Sequence, residues 1–142
     1  MTDNPIFSIL VVTYNSSWDK TRQTLYSILC QKDTDFEIVL ADDSSKENNF
    51  ANIKDYFALN NFTKYTLVEN KHNQGTVKNT LSGLKICKGE YVKPISPGDF
   101  LYDEHTLFSA YKQIKTSTGA VFFGRCAYYS NEGDNHTVYK DK

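Results

Sequence analysis

Phe7-Ser-Ile-Leu-Val-Val-Thr-Tyr14 is almost unbroken in apolar and β-branched side chains, and Asn15-Ser16-Ser17 follows it at once. A strand with one wet face alternates polar and apolar residues. A near-continuous run reads instead as a strand covered on both faces, which is the signature of a parallel sheet lined by helices. The polar triplet behind it carries turn and capping chemistry. The same switch from apolar run to polar corner recurs in Phe36-Glu-Ile-Val-Leu-Ala41, which ends in Asp42-Asp43-Ser44-Ser45.

Between and beyond these runs the period changes to that of a helix. Leu25, Ile28 and Leu29 form one apolar stripe, with Arg22 and Gln23 turned away from it. Phe50, Ile53 and Phe57 form a second stripe, and Val77, Leu81 and Leu84 mark a third helix that should stop near Lys88-Gly89. Leu107, Phe108, Tyr111 and Ile114 mark a fourth, capped by Asp103. Tyr65–Val68 and Tyr91–Ile95 supply a third and a fourth strand; Ala120 to Tyr129 reads as one more, and Asn131 to Asp134 as a turn into a last extended piece. Strand and helix thus alternate, which predicts an α/β fold with a mostly parallel sheet flanked by helices. No linker or internal repeat interrupts it, so residues 1–142 are expected to form a single domain.

The composition bounds the function. With 142 residues, 39% hydrophobic and 23% charged, the chain has material for a real core. Sixteen basic and 17 acidic side chains leave a formal net charge of −1, which speaks against a dedicated nucleic-acid binder. No apolar run approaches the length of a membrane span, and no secretory signal is read at the start. Cys30, Cys87 and Cys126 lack metal-ligand or paired spacing and read as free thiols. His72, His105 and His136 are too scattered for a metal site. Three Asn-x-Ser/Thr matches, at Asn15, Asn61 and Asn135, are what an Asn-rich sequence produces by chance.

In parallel sheets ligands bind beyond the carboxyl ends of the strands. The polar clusters of this chain fall there: Thr13-Tyr14-Asn15, Asp42-Asp43, Asn70 to Asn79 and Ser96 to Asp99. Each has a plain structural reading and a functional one. Asp42 and Asp43 suit an Asx-turn or a bond to a nucleobase imide or ribose hydroxyl. Gly75 opens a helix whose N-terminus, with Lys78, favours an anion. Neither a P-loop nor a G-x-G-x-x-G motif is present, so NTPase and dinucleotide readings fail. A receiver-type signalling domain would need its acids after the first strand, where Thr13-Tyr14-Asn15 stands instead.

Taken together, Phe7–Asn15, Ser27–Ser45, Asn70–Asn79 and Lys88–Asp99 resemble family-2 glycosyltransferases of the GT-A fold in order and spacing. The resemblance runs from about Phe7 to about Leu107. It implies a Rossmann-like nucleotide-sugar-binding domain built with Thr13, Tyr14, Asn15, Asp42, Asp43, Gly75, Lys78, Asn79 and Ser96. By resemblance Tyr14 and the Val12–Thr13 backbone pack on the base, Asp43 binds it, Asp42 supports Asp43, and Lys78 faces the diphosphate. The family's D-x-D acids, which hold Mg2+ or Mn2+ against the diphosphate, align with Ser96 and Gly98; Asp99 is the remaining acid, a metal or sugar ligand or a turn residue.

The resemblance implies transfer of a sugar from a nucleoside diphosphate, with a UDP-sugar favoured, to the hydroxyl of a glycan or lipid-linked acceptor. Inversion and a role in bacterial surface polysaccharide synthesis are implied with it. The expected place is the cytoplasm, at the inner face of the membrane in a longer protein. The family's acceptor half and general base follow the D-x-D region, so residues 1–142 read as a donor-binding portion truncated before them; Glu132 and Asp134 read as turn residues. The alternative is a non-catalytic nucleotide-binding or scaffold domain.

Overall fold

The structure is a computed structural model and describes residues 4–130 and 137–140. The chain divides into two compact units, Met1–Phe108 and Ser109–Lys142.

In the first unit the order is β1 (Phe7–Thr13), α1 (Trp18–Leu29), β2 (Phe36–Asp42), α2 (Phe50–Leu59), β3 (Tyr65–Glu69), α3 (Thr76–Leu84), β4 (Tyr91–Ile95) and the start of α4 (Thr106–Lys115). The strands form one sheet in the order β3-β2-β1-β4, and every pairing is parallel. β1 and β2 lie at its centre. All of β2 and all of β1 except Val12 are buried, as the apolar runs require. β4 is an edge strand of this sheet, which is why it can carry Pro94.

The chain runs from β1 through β2 to β3 in one direction and then crosses back to β4. With right-handed crossovers, α1 and α2 cover one face of the sheet and α3 the other. On the α1 side, Leu25 and Ile28 are fully buried with Thr21 and Thr24 in the same stripe, and Ser17 caps the helix by accepting from the Lys20 amide at 3.4 Å. Arg22 and Gln23 are exposed, as the stripe predicts. Phe57 anchors α2, with ring centroids 4.6 Å from Tyr65 and 5.3 Å from Phe62.

On the other face α3 meets the sheet through small and polar residues. Asn79 and Gly83, one turn apart, are its buried positions. A Cβ on Gly83 would lie 2.3 Å from Leu10 Cδ1 and 3.0 Å from the Ala41 Cβ, so the helix backbone sits directly on the sheet. The apolar stripe that marks this helix in the sequence therefore points outward: Val77, Leu81 and Leu84 are exposed. Apolar period located the helix, and close approach at Gly83 chose its face. The α3–β4 turn is held from below by Glu37, whose Oε1 accepts from Ser8 Oγ and the Lys88 amide at 2.6 Å each.

The second unit contains the rest of α4 and an antiparallel pair of strands. The strand expected over Ala120 to Tyr129 is shorter: residues 120–126 are irregular, and β5 (Ala127–Ser130) pairs antiparallel with β6 (Thr137–Lys140). Val121 and Phe123, 70% and 93% exposed, have no sheet partner among the described residues to sustain a longer strand. The expected turn from Asn131 to Asp134, with Glu132, lies outside the described residues, and so does His136.

Candidate nucleotide-sugar site

Register puts the strand ends level. Thr13 of β1 pairs with Asp42 of β2, which pairs with Glu69 of β3, and β4 stops at Ile95 opposite Val11. The loops after all four strands therefore open on one margin, and the strand order reverses there between β1 and β4, the usual place for a ligand. Every residue expected at the site stands at the carboxyl end of a strand, in the loop behind it or in the first turn of α3.

A buried polar network ties the margin together. Asp42, 1% exposed, has both oxygens engaged: Oδ1 accepts from Thr13 Oγ1 at 2.9 Å and Ser45 Oγ at 2.6 Å, and Oδ2 accepts from the Ser45 amide at 2.8 Å. Asn15, at φ 48°, continues the lock: its amide donates to Ser45 Oγ at 2.7 Å and its Oδ1 accepts from the Lys46 amide at 3.1 Å. The loops after β1 and β2 are thus one hydrogen-bonded body.

Asp43 reaches the other way. Its Oδ1 accepts from Asn70 Nδ2 at 3.1 Å and the Gln74 amide at 2.9 Å, and its Oδ2 accepts from the Gly75 amide at 2.8 Å. Burial pushes this carboxyl up, but the Gln74, Asn70 and Gly75 donors outweigh it and hold Asp43 below its ordinary value, with a small contribution from His72. A carboxylate offers about four acceptor sites. Three are used here, which leaves a fourth on Oδ2, and the residue is 2% exposed. Asn79, 1% exposed, completes the network: its Nδ2 donates to the Thr13 and Ala41 carbonyls at 3.2 and 3.1 Å, and its Oδ1 accepts from Asn70 Nδ2 at 3.0 Å. One side chain on α3 thereby bridges the ends of β1 and β2 and reaches Asp43 through Asn70.

The groups left facing out differ in kind. Tyr14 is 51% exposed and its ring has no partner among the described residues. Gly75 has φ +86° and open space where a Cβ would be, so the glycine serves the turn and leaves the approach clear. Behind it α3 has no side-chain cap and no acid in its first turn. The amides of Thr76, Val77 and Lys78 have no protein acceptor among the described residues, and the exposed Lys78 ammonium stands with them. Unpaired amides at a helix start carry partial positive charge and suit phosphate oxygens.

The β4 loop is set by α1. Thr24 Oγ1, fully buried, accepts from the Gly98 amide at 2.9 Å and donates to the Asp99 carbonyl at 2.8 Å. Gln31 holds the following segment, donating to the Asp103 carbonyl at 2.5 Å and accepting from the Leu107 amide at 3.0 Å. Ser96 is exposed, and the Asp99 amide closes the turn on its carbonyl at 3.0 Å. The Asp99 carboxylate is exposed and engages no group among the described residues. No cluster of three or more His, Cys, Asp or Glu side chains suited to a metal exists among those residues. The donor set is one hard carboxylate, which fits Mg2+ or Mn2+ only where a ligand supplies most of the remaining oxygens.

Comparison with known proteins gives the family and the fold. The model of glycosyl transferase family 2 matches residues 8–141. The chain belongs to this family. It is 33% identical over 137 residues to the poly(ribitol-phosphate) β-N-acetylglucosaminyltransferase TarP of Staphylococcus aureus (strain N315), covering 94% of this chain and 39% of TarP. The crystal structure of S. aureus TarS 1–349 in complex with UDP-GlcNAc superposes with a TM-score of 0.66 at 27% identity, over 78% of this chain and 31% of that one. The mannosyltransferase PcManGT from Pyrobaculum calidifontis, solved with GDP-Man and Mn2+, shares the fold with a TM-score of 0.69 at 24% identity, over 78% of this chain and 32% of that one. The chain thus spans well under half the length of these relatives, and the shared architecture is the GT-A fold.

Thr24 lies outside the polar clusters that the sequence reading named, and Ser45 and Asn70 stood inside them with no role of their own. Thr24 carried a signal, since it is a polar residue inside the buried stripe of α1. Asn70 carried none beyond its place in an Asn-rich loop.

Proposed function

We propose that this chain carries the donor-binding half of a glycosyltransferase that takes a nucleoside-diphosphate sugar, a UDP-sugar first, and passes the sugar to a hydroxyl of a cell-wall glycan or lipid-linked acceptor. The observation that supports it best is the single margin on which Tyr14, Asp43, the start of α3 and Asp99 converge. Tyr14 offers a ring face for a base, and the free lone pair of Asp43 offers an acceptor for a base N–H. The α3 amides and Lys78 take the diphosphate, and Ser96 and Asp99 border the sugar. Thr13, Asn15, Asp42 and Asn79 hold these groups in place. Likeness to TarP and to TarS bound to UDP-GlcNAc favours uracil as the base and a cell-wall polymer as the acceptor.

In the reaction the acceptor hydroxyl oxygen attacks the anomeric carbon while the bond to the diphosphate oxygen breaks. The electron pair leaves with the nucleoside diphosphate, and in-line displacement inverts the centre. The acceptor proton goes to a general base of the acceptor half. A divalent cation, when bound, offsets charge on the leaving diphosphate, and Asp99 is the residue that would hold it. Helix-end amides and Lys78 stabilise the same charge directly. Cytoplasmic placement belongs to this same proposal.

Calorimetric titration with UDP, GDP, CDP and TDP, with and without Mn2+, tests the reading. One diphosphate, UDP, is expected to bind, and Asp43→Ala to abolish it. Indifference to all four rejects the donor site. UDP binding that Mn2+ leaves unchanged removes the metal role of Asp99. Binding without transfer from a labelled donor, in a protein carrying the acceptor half, supports the non-catalytic alternative, which Ser96 and Gly98 at the two D-x-D positions favour.

A further inference from the structure

The outer face of α3 takes no part in the polar network. Val77, Leu81 and Leu84 recur at i, i+4 and i+7, opposite the buried Asn79 and Gly83, and are 74%, 47% and 43% exposed. Ile86, 39% exposed, follows directly. Along one flank stand Lys78 and Lys85, two turns apart, and Lys88 comes just beyond. Between Glu69 and Glu90 the chain carries Lys71, Lys78, Lys85, Lys88 and His72 and no carboxylate. None of these lysines forms an ion pair among the described residues, and Glu69 itself accepts from Asn48 Nδ2 at 2.9 Å. Lys78 and Lys85 thus flank the apolar face in a chain of formal net charge −1, and Lys88 follows the helix end.

Three occupants compete for such a face. A soluble polyanion would satisfy the lysines and leave the apolar stripe wet. A second copy would cover the stripe and set lysines against lysines across the two-fold axis. An anionic lipid surface satisfies both parts, taking the apolar side chains at the acyl boundary and the ammonium groups among the phosphates. We propose that the outer face of α3 docks this protein in the plane of a membrane rich in anionic phospholipid. The contact is peripheral, since no described helix is long and apolar enough to span a bilayer. α3 begins at Thr76, behind Gly75 on the proposed nucleotide margin, so docking brings that margin beside the lipid headgroups. Only this last consequence rests on the proposed function; the docking itself does not.

The test is co-sedimentation of the full chain with vesicles of phosphatidylcholine alone or mixed with phosphatidylglycerol. Binding is expected to the mixed vesicles only. Lys85→Glu with Lys88→Glu, and separately Leu81→Ser with Leu84→Ser, are each expected to lower the partition coefficient about tenfold or more. UDP binding measured without lipid should be unchanged in both pairs, which also reports that they fold. Absence of binding to mixed vesicles overturns the proposal, and so does binding that ignores the leucine pair. Lysine-dependent, leucine-independent binding to soluble polyphosphate assigns the face to a polyanion instead. A dimer in sedimentation velocity that Leu84→Ser dissolves assigns it to a second copy. If UDP fails to bind while vesicle docking survives its controls, the donor-site reading falls and the docking stands.

Discussion

At the scale of single residues, the margin separates groups that build it from groups that face out of it, and substitution should tell them apart. Asp43 does both. Asp43→Asn places an amide where three N–H donors now point, so at least one donor is left facing another; a loss of about 1–3 kcal/mol in urea unfolding is expected. The pH dependence has a defined sign. Because the folded carboxyl lies below its ordinary value of 3.8, its contribution is fully present above that pH and is lost as pH falls through the lower folded value. Acid unfolding of Asp43→Asn should therefore be less steep below pH 3.8 than that of the parent. An equal slope in both proteins contradicts the assignment. Tyr14→Ala is the converse case. The ring is 51% exposed, so stability should stay within about 0.5 kcal/mol. UDP affinity should fall by about 1–3 kcal/mol for lost base stacking. The acid at the end of β2 was legible in the sequence. Its three donors were not, because Asn70, Gln74 and Gly75 reach it only once β3 lies beside β2.

At the scale of elements, tight glycine contacts set how α3 sits. A Cβ on Gly89 would meet the Ser8 amide nitrogen at 2.4 Å and the Phe7 carbonyl carbon at 2.6 Å, both backbone atoms of the central strand. The corresponding contacts at Gly83 are side-chain atoms, the Leu10 Cδ1 methyl and the Ala41 Cβ, which give more readily than backbone. Gly89→Ala should therefore cost more than Gly83→Ala, with the latter near the 1–3 kcal/mol of ordinary overpacking. Urea midpoints of the two variants check this, and a reversed order contradicts the packing described. These contacts also show what periodicity leaves out. Val77, Leu81 and Leu84 revealed a helix but not its direction, since a period carries no information about which side meets the sheet. The strand expected from Ala120 to Tyr129 failed for a related reason. β-prone residues form a strand only where a partner lies alongside, and one lies alongside only from Ala127 to Ser130.

At the scale of the whole molecule, the parallel sheet was legible because burial on both faces writes itself as continuous apolar runs in β1 and β2. Loop convergence then followed from topology alone: parallel strands place every carboxyl end on one edge. Chemistry on that edge was legible only in part. Tyr14, Lys78 and Asp99 show free groups, whereas Asp42 and Asn79 direct theirs inward to hold the loops. The most direct measurement is an amide chemical-shift map of the labelled protein titrated with UDP. The account predicts shifts at Tyr14, Asp43, Gly75 to Lys78 and Ser96 to Asp99, with the amino-terminal ends of the strands unmoved. Shifts confined to any other surface, or none with UDP, GDP, CDP or TDP, would contradict it.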